Sequence, residues 1–224
     1  MMPAHELLES AGEWRLIGLL FEYPNAAWRK NVEALLPALK PELRALAAAA
    51  LEQCGEGLHS ALFGPGGCVP VREVTHRGGV QFGYLMAELV AYYEAFGFDP
   101  AIEEAPDHLA VQAGFIAFLK MKQALAMLEG DEERTRVTAA AIGEFIREHL
   151  IVQAEPVAQR LAEFAPAYLA ECGRMLVERV GPPVRSNFPI GGAVPGDEND
   201  DETGCGTGPA TELELVQLEP GALF

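Results

Sequence analysis

The sequence is poor in cysteine, in basic residues and in long apolar runs, and each shortage excludes something. Four cysteines stand at 54, 68, 172 and 205 of 224 residues, with no CxxC pair among them. These spacings fit no zinc motif, and few scattered cysteines in a chain this long predict reduced thiols inside the cell. Sixteen Lys and Arg face thirty-three Asp and Glu, a net charge of −17. Phosphate contacts need cations, so nucleic acid is an unsuitable partner, and an anionic membrane surface equally so. The longest apolar runs, such as Leu16 to Phe21 and Gly114 to Leu119, fall far short of the roughly 20 residues of a membrane span. The first ten residues carry Glu6 and Glu9 and no basic region, unlike a secretory signal peptide. A soluble, cytoplasmic protein with no stable membrane insertion is expected.

Catalytic signatures are missing too. GxSxG, HExxH and the phosphate-loop pattern do not occur, and the glycines at 64, 66 and 67 lack the Lys and Ser/Thr that a phosphate loop places after them. No dinucleotide fingerprint is present. The expectation is a protein that is not an enzyme and carries no cofactor.

What is there is apolar mass and negative charge. Half the residues are hydrophobic, enough for one domain that buries roughly 70% of its unfolded surface without a disulfide or metal staple. The charge is unevenly spread. No Lys or Arg follows Arg185, while eight acids do, so the tail carries −8 and the first 185 residues hold 25 acids against 16 bases, or −9. From Ser186 onward 7 Gly and 4 Pro fall in 39 residues, a composition that predicts a flexible segment. The boundaries expected are a helical domain over 1–183 and a Gly/Pro/acid-rich tail over 184–224. Within that tail, residues 212–218 alternate enough for a short strand.

Helical spacing dominates the rest. Helices are expected over about 5–22, ended by Pro24, over 25–39 with Asn25 as cap, over 41–54 with Pro41 in the first turn, and over 58–63. Residues 64–79 read as a loop. An aromatic helix over 80–96 stops at Gly97, and 98–106 is a second loop. Asp107 is placed to cap a helix running to Glu129 that is apolar on most of its circumference and therefore central. An amphipathic helix over 131–150 and further pieces over 156–164 and 166–180 complete the set. The fold class is all-α, a single-domain helical bundle with an irregular acidic tail.

Two constellations carry possible chemistry. Glu56/His59 and Glu73/His76 share the Glu-x-x-His spacing of di-iron helical bundles, and a di-iron oxidase is the alternative reading they support. The second is Tyr92 to Leu109. Its structural reading is complete: an aromatic helix stops at Gly97, a proline-bearing loop turns, and Asp107 caps the next helix with Glu103 and Glu104 near its positive end. The functional reading uses the same atoms. Glu103, Glu104 and Asp107 gather three carboxylates beside apolar helices, and guanidinium groups bind carboxylates in bidentate pairs at roughly 1.5–3 kcal/mol per charge-assisted bond. Such a site suits a peptide that is basic at one end and apolar at the other. His108 reads in two ways, as a group that titrates near neutrality and modulates such binding or as a structural histidine at a helix start.

This segment resembles the signature of the TorD/DmsD/NarJ family of redox-enzyme maturation chaperones, through Tyr93, Gly97, Phe98, Pro100, Glu104, Pro106, Asp107, His108 and Leu109. Leu19 to Pro24, Leu62-Phe63-Gly64, and Phe145 through His149-Leu150 resemble flanking family segments, so the likeness covers about residues 10–180. Gln112-Ala113-Gly114 after the signature and the acidic tail depart from the family pattern. The resemblance implies a non-catalytic chaperone that binds the twin-arginine leader and the body of a molybdopterin oxidoreductase's catalytic subunit. It would assist cofactor insertion and hold back export until folding is complete. It implies a monomer or a domain-swapped oligomer. The site residues it points to are Glu104, Asp107 and His108, with Pro106 and Gly97 shaping the loop, Tyr93 and Phe96 as groove walls, and Glu103 and Arg72 as further contacts.

Overall fold

A computed structural model of the chain describes residues 3–78 and 82–182. The expected tail over 184–224, its strand at 212–218 and the start of the aromatic helix at Val80 lie outside the described residues.

The architecture is all-helical, as the spacing predicts. Ten α-helices occur among the described residues: α1 (Ala4–Leu20), α2 (Ala26–Leu35), α3 (Pro41–Gln53), α4 (Glu56–Phe63), α5 (Glu73–His76), α6 (Phe82–Phe96), α7 (Leu109–Leu128), α8 (Glu132–Phe145), α9 (Ile151–Phe164) and α10 (Ala167–Val180). Their ends follow local chemistry. The Asn25 side chain accepts the Trp28 N–H at 2.8 Å and starts α2. Asp131 does the same for α8 from Arg134 N–H at 2.9 Å. The Trp28 indole donates to Leu19 O at 2.7 Å, so the open end of α1 finds a partner on α2.

α7 is the central helix. It packs against α1 on one side and α8 on another, while α9 pairs with α10. One core runs through these contacts, with Trp14, Phe21, Phe115 and Phe145 fully buried in it. Burying each such side chain contributes about 1.5–3 kcal/mol. α9 and α10 approach closely at Gly173, where a Cβ would lie 2.9 Å from Ala158 Cα. No helix among the described residues is long and apolar enough to cross a membrane.

The structure corrects the expected course in two places. Residues 64–79 are not all loop, because Glu73–His76 forms the single turn α5 and Arg72 pairs with His108 in an isolated antiparallel bridge. No break separates Leu150 from Pro156 either. A π-helical turn, Ile146–Leu150, joins α8 to α9, and Pro156 sits inside α9. Proline in a helix interior costs about 3 kcal/mol. Burial of Gln153, Ala154, Val157 and Leu161 on either side of it outweighs that local penalty.

Candidate functional site

The loop between α6 and α7 carries the expected site, and its neighbours hold it at several points. Gly97 adopts φ +68°, a conformation that costs glycine little, and ends α6. Gly97 N–H donates to Glu94 O at 3.1 Å and Phe98 N–H to Tyr93 O at 2.8 Å, the paired bonds of a Schellman stop. Phe98 then packs against Tyr93, Phe115 and Phe118 with ring centroids 5.3, 5.3 and 5.4 Å away. The buried Tyr93 phenol donates to Pro106 O at 2.7 Å and braces the far end of the loop. Burial, with the charges of Glu73 and Asp107, holds that phenol well above its ordinary pKa.

Asp107 is fully buried and does not cap α7. Its carboxylate accepts from the Arg72 guanidinium and from Val74 N–H at 3.2 Å, 35 and 33 residues away in sequence. Glu73 N–H donates to Asp107 O at 3.0 Å and Leu109 N–H to Val71 O at 2.9 Å, so residues 71–74 clasp 107–109. The cap of α7 is His108, whose Nδ1 accepts Ala110 N–H at 3.1 Å. An accepting ring nitrogen requires a neutral imidazole here. Burial first, then the positive neighbours Arg72 and His59, pushes the His108 pKa down to about 4. Of the two readings of His108, the structural histidine at the helix start is the one found, and titration near neutrality is not.

The two glutamates differ from Asp107. Glu103 and Glu104 are exposed. Glu104 is raised above the usual carboxylate range, chiefly by partial burial and also by Glu22, with Arg72 opposing. The same loop borders a cleft of about 450 Å³ through residues 98–102, and Glu22 lines that cleft too, whereas Glu103 and Glu104 follow in the chain and are not among its lining residues. α1, α7 and residues 98–102 form the walls of that cleft, with Leu8, Phe98, Ile102, Val111, Phe118 and Met121 as its apolar surface. Asp99 and the Arg15–Glu22 ion pair add polar groups to the lining. Asp99, Glu103 and Glu104 are in no ion pair among the described residues, whereas Glu22 and Asp107 each hold an arginine. The aromatic walls are Phe98 and Phe118. Tyr93 and Phe96 stand behind, on the core side, with Phe96 against Phe115 at 6.1 Å.

Beneath the clasp lies a polar network absent from the sequence reading. Glu73, fully buried, accepts from Arg77 Nε at 2.5 Å, from the Gln112 amide, and bonds His149 Nδ1 at 3.1 Å. Gln153 donates to Gln112 at 2.7 Å. Burial pushes the Glu73 pKa up, but His149 and Arg77 together outweigh it and leave the carboxyl below its ordinary value. A signal existed: Gln112 and Gln153 interrupt apolar helix faces, and a glutamine buried there needs partners.

The two Glu-x-x-His pairs do not converge. His59 faces Phe21 O at 3.4 Å, His76 faces Pro70 O at 2.9 Å, and Glu73 is occupied by the network. Neither pair enters the grouping of possible metal ligands found among the described residues.

The sequence model of a family described as "Nitrate reductase delta subunit" matches residues 25–157. That span takes in the clasp, the loop and the whole of α7. No curated protein matches the chain.

Proposed function

The chain belongs to the nitrate reductase delta subunit family, and on that footing we propose that it captures the twin-arginine leader of a molybdenum oxidoreductase's catalytic subunit in the cytoplasm. Members of the family are non-enzymatic chaperones of molybdoenzyme assembly, which removes the di-iron oxidase alternative. In our reading the chaperone also contacts the client's body, assists cofactor insertion and delays export until folding is complete.

The observation that supports the reading is an apolar cleft with Asp99 in its lining and Glu103 and Glu104 a few residues further along the same loop, none of the three in an ion pair among the described residues. Glu103, Glu104 and Asp99 take the paired guanidinium groups, and the cleft between Leu8, Phe98, Val111 and Phe118 takes the apolar stretch that follows. Asp107, His108, Pro106, Gly97, Tyr93 and Phe96 position the loop from behind. Each exposed carboxylate–guanidinium pair contributes about 1 kcal/mol or less, and burial of apolar area about 25 cal/mol per Å² supplies the larger share. Arginine is favoured over lysine because its fork meets a carboxylate through two parallel bonds.

The test is calorimetric titration of the full chain with a synthetic twin-arginine leader and with the same peptide carrying two lysines. The paired-arginine peptide is expected to bind roughly tenfold tighter, and Glu104→Gln together with Asp99→Asn to erase most of that difference. Equal affinities for the two peptides remove the role given to these acids. No binding of either sinks the proposal.

A further inference from the structure

A second cluster adjoins the Glu73 network through His149, and it goes beyond leader capture. Among the described residues, one carboxylate oxygen each of Glu88 and Glu148 and one ring nitrogen of His149 lie within 4.8 Å of one another. Glu88 belongs to α6, and Glu148 and His149 to the π-helical turn between α8 and α9. Turns of this kind insert one residue into a helix and recur at functional sites.

His149 supplies the independent observation. Its ring is 1% exposed. Nδ1 is committed to Glu73, and Nε2 is buried with no hydrogen-bond partner. Orphaned buried nitrogens are uncommon, because the lost hydration goes uncompensated. We propose that Glu88, Glu148 and His149 Nε2 hold a divalent first-row transition metal of the zinc(II) type.

The surroundings fit that assignment. Metal-bound histidines give their other ring nitrogen to a carboxylate, which fixes the tautomer and raises the basicity of the ligand. Glu73 stands in that position, itself held by Arg77 and Gln112. The Tyr92 phenol donates to Glu148 Oε2 at 2.9 Å and orients the second ligand. Arg77 is engaged by Glu73 and the backbone oxygen of Glu148. The imidazole nitrogen favours a transition metal such as zinc(II) or iron(II), while the two carboxylates by themselves would also suit magnesium, calcium or manganese(II). Bonds of about 2.0–2.2 Å need the donors drawn closer than they stand, and the stems of half-buried Glu88 and exposed Glu148 allow it. A metal there would tie α6 to the π-helical turn.

The experiment uses the full chain, freed of metal by chelation and then titrated with cobalt(II). One equivalent is expected to bind with visible absorption from a site containing nitrogen and oxygen ligands, and zinc(II) to displace it. Glu88→Gln and Glu148→Gln should each weaken zinc(II) binding at least about tenfold with helix content unchanged. His149→Gln should abolish it, and the two glutamine variants keep the test valid if that buried substitution fails to fold. No absorption in the unaltered chain, or equal affinity in Glu88→Gln and Glu148→Gln, means an adventitious ion only and overturns the site. Leader titration of the metal-free chain tests the chaperone reading separately.

Discussion

The neutral, buried His108 makes folding stability depend on pH in a window that can be calculated. In the unfolded chain this imidazole has its ordinary pKa of 6.5, and in the folded chain about 4. A folded pKa below the unfolded one means that the unfolded state takes up the proton first. Stability is therefore complete above about pH 6.5 and drains away as pH falls toward about 4. Each unit is about 1.4 kcal/mol, so the whole window is worth about 3 kcal/mol and the step from pH 7 to pH 5 about 2 kcal/mol. With a urea slope of about 2 kcal/mol per molar, the unfolding midpoint should drop by about 1 M over that step. The control is His108→Asn. Asparagine caps helices well and its side-chain oxygen can accept the Ala110 N–H in place of Nδ1. It carries no titrating group, so its stability should fall by about 2 kcal/mol less over the same step, a midpoint shift smaller by about 1 M, whatever its absolute stability. His59, which burial also lowers, is present in both proteins, so all of its share of the pH dependence except its coupling to His108 is common to the two. If His108→Asn loses as much stability between pH 7 and pH 5 as the unaltered chain, the imidazole is not the neutral cap described here.

Three further outcomes follow from the same contacts. Asp107→Asn keeps the shape but faces an amide toward the Arg72 guanidinium or Val74 N–H. Because Arg72 is about one-third exposed, the loss expected in urea unfolding is about 2 kcal/mol, below the roughly 3–5 of a fully buried pair. Phe98→Ala removes the ring that ties the loop to Tyr93, Phe115 and Phe118, and should cost about 3 kcal/mol in thermal unfolding and weaken leader binding in the calorimeter. Gly173→Ala sets a Cβ 2.9 Å from Ala158 Cα, so α9 and α10 must separate, with about 1–3 kcal/mol of destabilisation expected by the same measurement.

The order and type of the helices were legible because proline, glycine and helical spacing act locally. Pro24, Asn25, Pro41 and Gly97 mark boundaries that the structure places within a few residues of expectation. The errors arose where distant residues override local preference. Asp107 is a strong cap by local chemistry, yet its carboxylate goes to Arg72 and Val74, and the next residue takes the cap. Nothing near Asp107 in sequence announces that pairing. The same holds for Glu73, which meets Gln112 and His149 across 39 and 76 residues, and for Pro156, whose helix survives on burial.

The burial of Asp107 and His108 changes what the Pro-Asp-His motif does in this chain. A carboxylate already holding an arginine inside the protein gains little by exchanging it for one on a peptide, because the first guanidinium would be left without its partner. The motif works instead as three fixings in sequence: Pro106 O receives Tyr93, Asp107 receives Arg72 and Val74, and His108 starts α7. A loop fixed in this way has little ordering entropy left to lose when a ligand arrives. Asp99, Glu103 and Glu104 stand in no ion pair among the described residues, and on the proposed function it is these acids of the braced loop, rather than Asp107, that meet the peptide. The net charge of −17 is too diffuse to define a partner, so the proposal rests on three carboxylates of a braced loop that take part in no ion pair among the described residues, and equal binding of the arginine and lysine leaders would remove it.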